Sequence, residues 1–316
     1  MPRYLVTGCA GFIGSTLTDA LLEGGCEVVG VDGFTDYYDR PTKESTLSAA
    51  HEHPSFTLLE QDLAAANLPD HALEGLDGIF HLAARPGVRA SWGAGFDSYV
   101  ADNILGTHTV AEAAGPREIR VVFASSSSIY GDALAYPTPE DTPPSPISPY
   151  GVTKLACEHL LAAHARDSGL EHVCLRYFTV YGPRQRPDMA FARLVAALEE
   201  GEFEVYGDGS QSRDFTFVAD AVAATLAAMR EAPAGAVYNV GGGSEATLAE
   251  VVALVEELAG RPPNVRHGER APGDVRRTLA DTIRIRSELG WAPRTGLRTG
   301  LEAQLRAAGA LASSTR

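Results

Sequence analysis

Thr7-Gly8-Cys9-Ala10-Gly11-Phe12-Ile13-Gly14 is the stretch that decides how the chain is read. Tyr4-Leu5-Val6 before it is a short apolar run of the kind that fills a buried parallel strand, and Phe12 to Leu22 after it carry apolar residues at helical spacing. The glycines therefore occupy a strand-to-helix turn. Glycine lets such a turn tighten and lets its backbone approach a pyrophosphate, which rests on free N–H groups at the positive end of the helix. The spacing is Gly-x-x-Gly-x-x-Gly, a variant of the usual Gly-x-Gly-x-x-Gly dinucleotide fingerprint. The next strand-like run, Glu27 to Val31, ends in Asp32, 24 residues after Gly8. A carboxylate there accepts hydrogen bonds from ribose hydroxyls and repels a 2′-phosphate, so the expected cofactor is NAD rather than NADP.

A second short motif adds chemistry. Tyr150-Gly-Val-Thr-Lys154 places a phenol and an amine four residues apart, on one helix face and about 6 Å apart along the axis at roughly 1.5 Å per residue. The Lys154 ammonium and a positive nicotinamide ring are expected to lower the Tyr150 pKa from its ordinary value near ~10. An ionised tyrosine takes a proton from an alcohol as hydride leaves the carbon.

Working outward, the first half alternates strand-like apolar runs with helical stretches, at residues 4–6, 27–31, 56–59, 78–82 and 120–125, with a further strand near 172–176. This is the pattern of an α/β, Rossmann-like, doubly wound parallel sheet. Asp62 follows the third run, within reach of an adenine. Asp77 to Ala84 reads as a strand entering a small-residue turn, and His81 within it is expected to be structural. After Arg176 the pattern breaks into shorter pieces rich in Gly, Pro and Arg, such as Tyr181 to Asp188 and Val205 to Arg213. The expected division is an NAD-binding domain over 1–176, with 214–240 returning to it, and a smaller α/β carboxy-terminal substrate domain from 177–213 and 241–316. The alanine-rich end, Ala307 to Arg316, is expected to fray.

Composition narrows the partners. The chain has 316 residues, 45% of them hydrophobic, which supports a sizeable core. A net charge of −15 argues against a nucleic-acid or anionic-membrane surface. Cys9, Cys26, Cys157 and Cys174 show no Cys-x-x-Cys spacing and no His pairing, so they read as reduced thiols, with no metal expected. With no leader-like stretch before the first strand and no apolar run of spanning length, the expected location is the cytoplasm.

The glycine turn, Asp32, His81-Leu-Ala-Ala84, Tyr150-x-x-x-Lys154 and Arg176-Tyr-Phe178 together resemble the extended short-chain dehydrogenases that act on nucleotide sugars, and the resemblance covers nearly the whole chain. It implies tightly held NAD, a small sugar-nucleotide domain and a homodimer packed through the helix carrying Tyr150. It implies a third catalytic position at Ser126, in Ser125-Ser-Ser-Ser-Ile-Tyr-Gly131, whose hydroxyl passes or holds the sugar proton. The implied cofactor shell is Gly8, Gly11, Phe12, Ile13, Gly14, Asp32, Asp62, Leu63, Leu82, Ala83, Ala84, Asn103, Ala124, Tyr150, Lys154 and Tyr177. Asn103 resembles a buried asparagine of the family that orients backbone.

Related 4,6-dehydratases and decarboxylating xylose synthases carry an acidic residue within two positions after the catalytic Thr or Ser. Here those positions are Ser127 and Ser128, neither of which serves as an acid or base near neutral pH. The chemistry this implies is oxidation at C4 and return of the hydride to the opposite face, a 4-epimerisation. Thr35-Asp-Tyr-Tyr-Asp-Arg40 with Lys43, Gly87 to Ser91, and Phe178 to Pro183 followed by Arg186-Pro-Asp-Met189 resemble segments of UDP-glucuronate 4-epimerases. Thr179 stands where galactose epimerases carry an asparagine. Ser127, Ser128, Thr179, Arg89 and Arg186 are candidates to hold a C6 carboxylate, and Arg213 and Arg270 resemble diphosphate-binding arginines of the family. Alternative readings are a UDP-glucose, UDP-N-acetylglucosamine or other nucleotide-sugar epimerase, a decarboxylase or dehydratase, and a non-catalytic NAD-sensing protein. The last class typically lacks the Tyr or Lys, and both are present here.

Overall fold

The computed structural model describes residues 1–269 and 275–312. Its centre is a seven-stranded parallel sheet of β1 (Arg3–Thr7), β2 (Glu27–Asp32), β3 (Phe56–Glu60), β4 (Gly78–His81), β5 (Val121–Ser126), β6 (His172–Tyr177) and β10 (Val237–Val240). The strands lie in the order β10-β6-β5-β4-β1-β2-β3. Neighbouring residues of each strand enter opposite cores, as period-two geometry requires. Val6, Phe80 and Val122 pack on one face, beneath α1 (Phe12–Glu23) and α9 (Val218–Glu231). Leu5, Ile79 and Val121 pack on the other, beneath α6 (Gly106–Ala114) and α7 (Pro149–Ser168). A sheet covered on both faces explains why its strands read as continuous apolar runs.

The remaining helices are α2 (Arg40–Thr46), α3 (Ser48–His51), α4 (Asp70–Leu73), α5 (Phe96–Tyr99), α8 (Ala190–Ala196), α10 (Leu248–Ala259), α11 (Ile283–Leu289) and α12 (Leu297–Ala307). The longest, α7, has local start and stop signals. Ser148 Oγ accepts from Gly151 N at 3.1 Å, Pro149 opens the first turn, and Gly169 closes the helix at φ 73°.

All six expected strands form. The seventh, β10, lies in the stretch expected to return to the sheet. Asp214 to Val218 divides differently: β9 (Ser212–Phe217) joins a separate three-stranded sheet, β11-β9-β7, with β7 (Thr179–Tyr181) and β11 (Glu245–Thr247). Phe215 lies in an aromatic cluster with Tyr181 and Phe191, and Phe217 packs against it. The following helix, α9, packs on the large sheet, and Phe217 at the end of β9 touches that core as well. β8 (Phe203–Tyr206) and β12 (Val265–Gly268) form a parallel pair. Ile285, Leu289 and Trp291 fill the large-sheet core although they come from the carboxy-terminal part. The end does not fray through residue 312: Ala310 is buried and Ala312 N donates to Leu258 O at 3.1 Å. Residues 313–316 lie outside the described residues. Among the described residues no helix is long and apolar enough to cross a membrane.

Candidate active site

The carboxyl ends of β1, β2, β4, β5 and β6 open into a cleft of about 720 Å³, where doubly wound sheets place their ligands. The glycine turn forms its floor. Gly8 sits at φ +68°, where a side chain would be strained, and a Cβ there would come 2.8 Å from Ala83 N. A Cβ on Gly14 would lie 2.0 Å from Gly8 O, so this glycine is what lets α1 start hard against the turn. No side chain caps α1, and its amino end faces the cleft through Gly11, Phe12 and Ile13. At the end of β2, Asp32 accepts from Phe34 N at 2.8 Å and Ala10 N at 3.1 Å, which leaves lone pairs for a ribose. Burial raises its pKa against those two bonds and the Lys43 charge. An open helix end, a tight glycine cradle and a carboxylate one strand away fit an adenine dinucleotide.

Tyr150, Lys154 and Ser126 meet on the opposite wall. Ser126 Oγ accepts from Ser128 N at 3.1 Å and hydrogen-bonds the Tyr150 phenol. Lys154 Nζ donates to Ala124 O at 2.8 Å and stands 4.8 Å from the Phe123 ring centroid. Burial pulls the Lys154 pKa down to about 8. Burial also raises the Tyr150 pKa, against the lowering effects of the Ser126 hydrogen bond and the Arg186 charge. The expected lowering by Lys154 is therefore not what the protein alone provides, because the half-buried wall disfavours the phenolate.

Rigid neighbours hold this wall. Asn103 Nδ2 donates to Thr153 Oγ1 at 2.9 Å and Arg85 O at 3.2 Å, while its Oδ1 accepts from Arg85 N at 2.7 Å. Asn103 thus lies behind the cleft, fixing backbone, and does not line it. One turn beyond Lys154 on α7, Glu158 holds Arg176 of β6 through contacts of 3.0 and 2.8 Å and accepts from Ser125 Oγ. His81 is fully buried between Thr7 Oγ1 at 2.8 Å and Thr107 Oγ1 at 3.0 Å, and burial lowers its pKa to about 3. It is structural, as its sequence suggests.

Ser127, Ser128, Thr179, Arg89 and Arg186 line the remaining part of the cleft, as do Asp62, Leu63, Leu82, Ala83, Ala84, Ala124 and Tyr177. Arg186 is held by Asp188 through two contacts of 3.0 Å, and its guanidinium lies 5.7 Å from the Tyr37 ring centroid. Arg89 stacks 3.9 Å over the Tyr206 ring centroid. Arg213 does not line the cleft; its guanidinium bonds the Ser212 carbonyl at 2.8 Å. Arg270 lies outside the described residues. Sequence reasoning did not single out Arg85, Asp102, Arg193 or Tyr206, which also line the cleft. Arg85 lies just before the Gly87 to Ser91 segment and Tyr206 within the loop-rich piece Val205 to Arg213, whereas Asp102 and Arg193 fall in no segment that the sequence marks.

The sequence model of the NAD dependent epimerase/dehydratase family matches residues 4–241, three quarters of the chain. The chain belongs to the NAD dependent epimerase/dehydratase family. This epimerase/dehydratase chain is 41% identical over 303 residues to a Bacillus subtilis (strain 168) protein described as "Uncharacterized UDP-glucose epimerase YtcB", covering 95% of each. It is 35% identical over 313 residues to the UDP-glucuronate 4-epimerase of Thermodesulfobacterium geofontis (strain OPF15), covering 96% of this chain and 94% of that protein. Among solved structures, the UDP-glucuronic acid 4-epimerase of Bacillus cereus in complex with UDP-glucuronic acid and NAD superposes with a TM-score of 0.93 at 38% identity, covering 97% of this chain and 99% of that one. The Rossmann-like sheet and the cofactor class expected from the glycine turn thus agree with the family.

Proposed function

We propose that the chain is a UDP-glucuronate 4-epimerase, interconverting UDP-glucuronate and UDP-galacturonate with tightly held NAD. The observation that carries the reading is the wall beside Tyr150: the positions following Ser126 are hydroxyls, Ser127 and Ser128, and Thr179 and Arg186 share the cleft with them. Bound NAD would supply the acceptor and donor of the C4 hydride and a positive ring beside Tyr150. Tyr150 accepts the C4 hydroxyl proton, with Ser126 sharing it, and gives it back once the 4-ketosugar has turned its other face. Lys154 positions the cofactor ribose. Asp32 holds the adenosine ribose hydroxyls, and the amino end of α1 faces the pyrophosphate.

Oxidation at C4 of a hexuronate makes a β-keto acid, which loses its carboxylate when the C5–carboxyl bond aligns with the ketone π system. Hydroxyls of Ser127, Ser128 and Thr179 hold the carboxylate near the ring plane through charge-strengthened hydrogen bonds, away from that alignment. Neither serine protonates an enolate. Incubation with UDP-glucuronate, UDP-glucose and UDP-N-acetylglucosamine, with products resolved by chromatography, tests this directly. The wild type gives UDP-galacturonate with little carbon dioxide, and Thr179→Ala raises the share of 4-ketopentose. Release of the ketopentose as the main wild-type product makes the chain a decarboxylase, and turnover confined to the neutral sugars favours the UDP-glucose epimerase suggested by the Bacillus subtilis relative's name.

The same reading includes a homodimer in which α7 and the segment before α6 pack against a second copy. Val152 and Leu105 are each 47% exposed, large apolar residues on that side. Light scattering is expected to give the mass of two chains, and Val152→Glu the mass of one. A monomeric wild type contradicts it.

A further inference from the structure

Away from the cleft, α6 and α7 bring together three side chains that the reaction does not use. His108 and Glu112 stand one turn apart on α6, and His164 lies on the neighbouring α7. His108 Nδ1 is 3.3 Å from His164 Nε2, and Glu112 Oε1 is 3.6 Å from His164 Nδ1. One ligand atom from each residue lies within 4.8 Å of the other two. A tetrahedral ion with bonds of about 2.1 Å separates its ligand atoms by about 3.4 Å, so the imidazole pair already stands at a ligand-edge distance.

We propose that His108, Glu112 and His164 bind a divalent ion of the zinc class, with water in the fourth position. Two imidazole nitrogens and one carboxylate oxygen are a donor set that suits zinc and excludes magnesium or calcium, which take oxygen. The helices are locked together independently of any ion. Asn103 Nδ2 donates to Thr153 Oγ1 at 2.9 Å, and Thr107 Oγ1 donates to Cys157 Sγ at 3.3 Å. The backbone positions of the ligands are therefore set in advance, and binding requires that the exposed Glu112 carboxylate, which faces Nδ1 of His164, swing toward the nitrogen pair and that the proton shared by the two imidazoles move to the far nitrogen of its ring. Spacing along the chain hides the site, because two ligands come from one helix and the third from another 52 residues further on from Glu112. His108 and Glu112 continue the exposed row of α6 next to Leu105, so the site borders the surface assigned to pairing.

The test is equilibrium dialysis of the tag-free, chelator-stripped full chain against Zn²⁺, with visible spectra of the Co²⁺-loaded protein. Wild type is expected to bind one Zn²⁺ per chain, and His108→Ala and His164→Ala each to weaken binding by at least about tenfold. Glu112→Gln is expected to weaken it less. Unfolding midpoints of the metal-free variants near that of the wild type show that the fold is kept. The Co²⁺ form should show four-coordinate bands without thiolate charge transfer. Equal Zn²⁺ binding by wild type and a chain carrying both His108→Ala and His164→Ala overturns the proposal, as does a thiolate band, which moves the ion to a cysteine.

Discussion

At the scale of single residues, the chemistry rests on groups whose surroundings push their titration away from the ordinary. Tyr150 is raised and Lys154 lowered by the same burial, so the wall opposes the charge pair that the sequence spacing suggests. The Ser126 hydrogen bond works the other way, and in the proposed function a bound, positive nicotinamide would favour the phenolate further. His81 offers a measurable consequence. The unfolded chain takes up a proton at this residue below about pH 6.5, whereas the folded chain refuses it until about pH 3. A depressed native pKa contributes stability that is present above the unfolded value and lost as pH falls, here at about 1.4 kcal/mol per pH unit for this group. Urea midpoints of wild type and His81→Gln should therefore shift against the wild type between pH 7.5 and 5.5. A gap between the two that does not change with pH contradicts the neutral, buried assignment.

At the scale of elements, α7, which carries Tyr150 and Lys154, is tied to β6 by a buried ion pair, not only by apolar packing. Glu158 of α7 and Arg176 of β6 have side chains only 8% and 7% exposed, and Arg176 also bonds Tyr130 Oη and the Glu140 carbonyl. Removing one partner leaves a buried charge, at a cost of about 3–5 kcal/mol. Glu158→Gln should lower unfolding stability by that order, measured in urea without cofactor. Stability within 1 kcal/mol of the wild type shows that the pair is replaceable by solvent or neighbours. Much of this layer was legible beforehand. Short apolar runs between helical stretches located six strands, since a parallel sheet buried on both faces writes itself as such runs. β10 was harder because Val237-Tyr-Asn-Val240 carries Asn239, whose Nδ2 reaches Thr138 O at 2.8 Å and whose Oδ1 accepts from Tyr130 Oη at 2.8 Å. Its polarity serves a network that no local pattern announces. The misplacement of Asp214 to Val218 has a similar origin, because Phe215 and Phe217 answer to distant aromatics.

At the scale of the whole molecule, the large sheet and α7 bring the glycine turn and Tyr150 to the cleft, while residues between Tyr177 and Tyr206 line another part of it. Glycine spacing, Asp32 and the Tyr150–Lys154 pair stand out in the sequence, and the structure gathers them around one cleft. The rest of the site was less readable, because loop arginines look alike until their partners are known. Arg186 faces the cleft held by Asp188, whereas Arg213 bonds backbone outside it. In the proposed reaction the C4 hydrogen would pass to one tightly held cofactor and back to the same carbon from the other side. Incubation with UDP-glucuronate deuterated at C4, in ordinary water with added unlabelled NAD, tests it most directly. UDP-galacturonate, followed by NMR, should keep the deuterium at C4. Loss of the label to water or to free cofactor contradicts it.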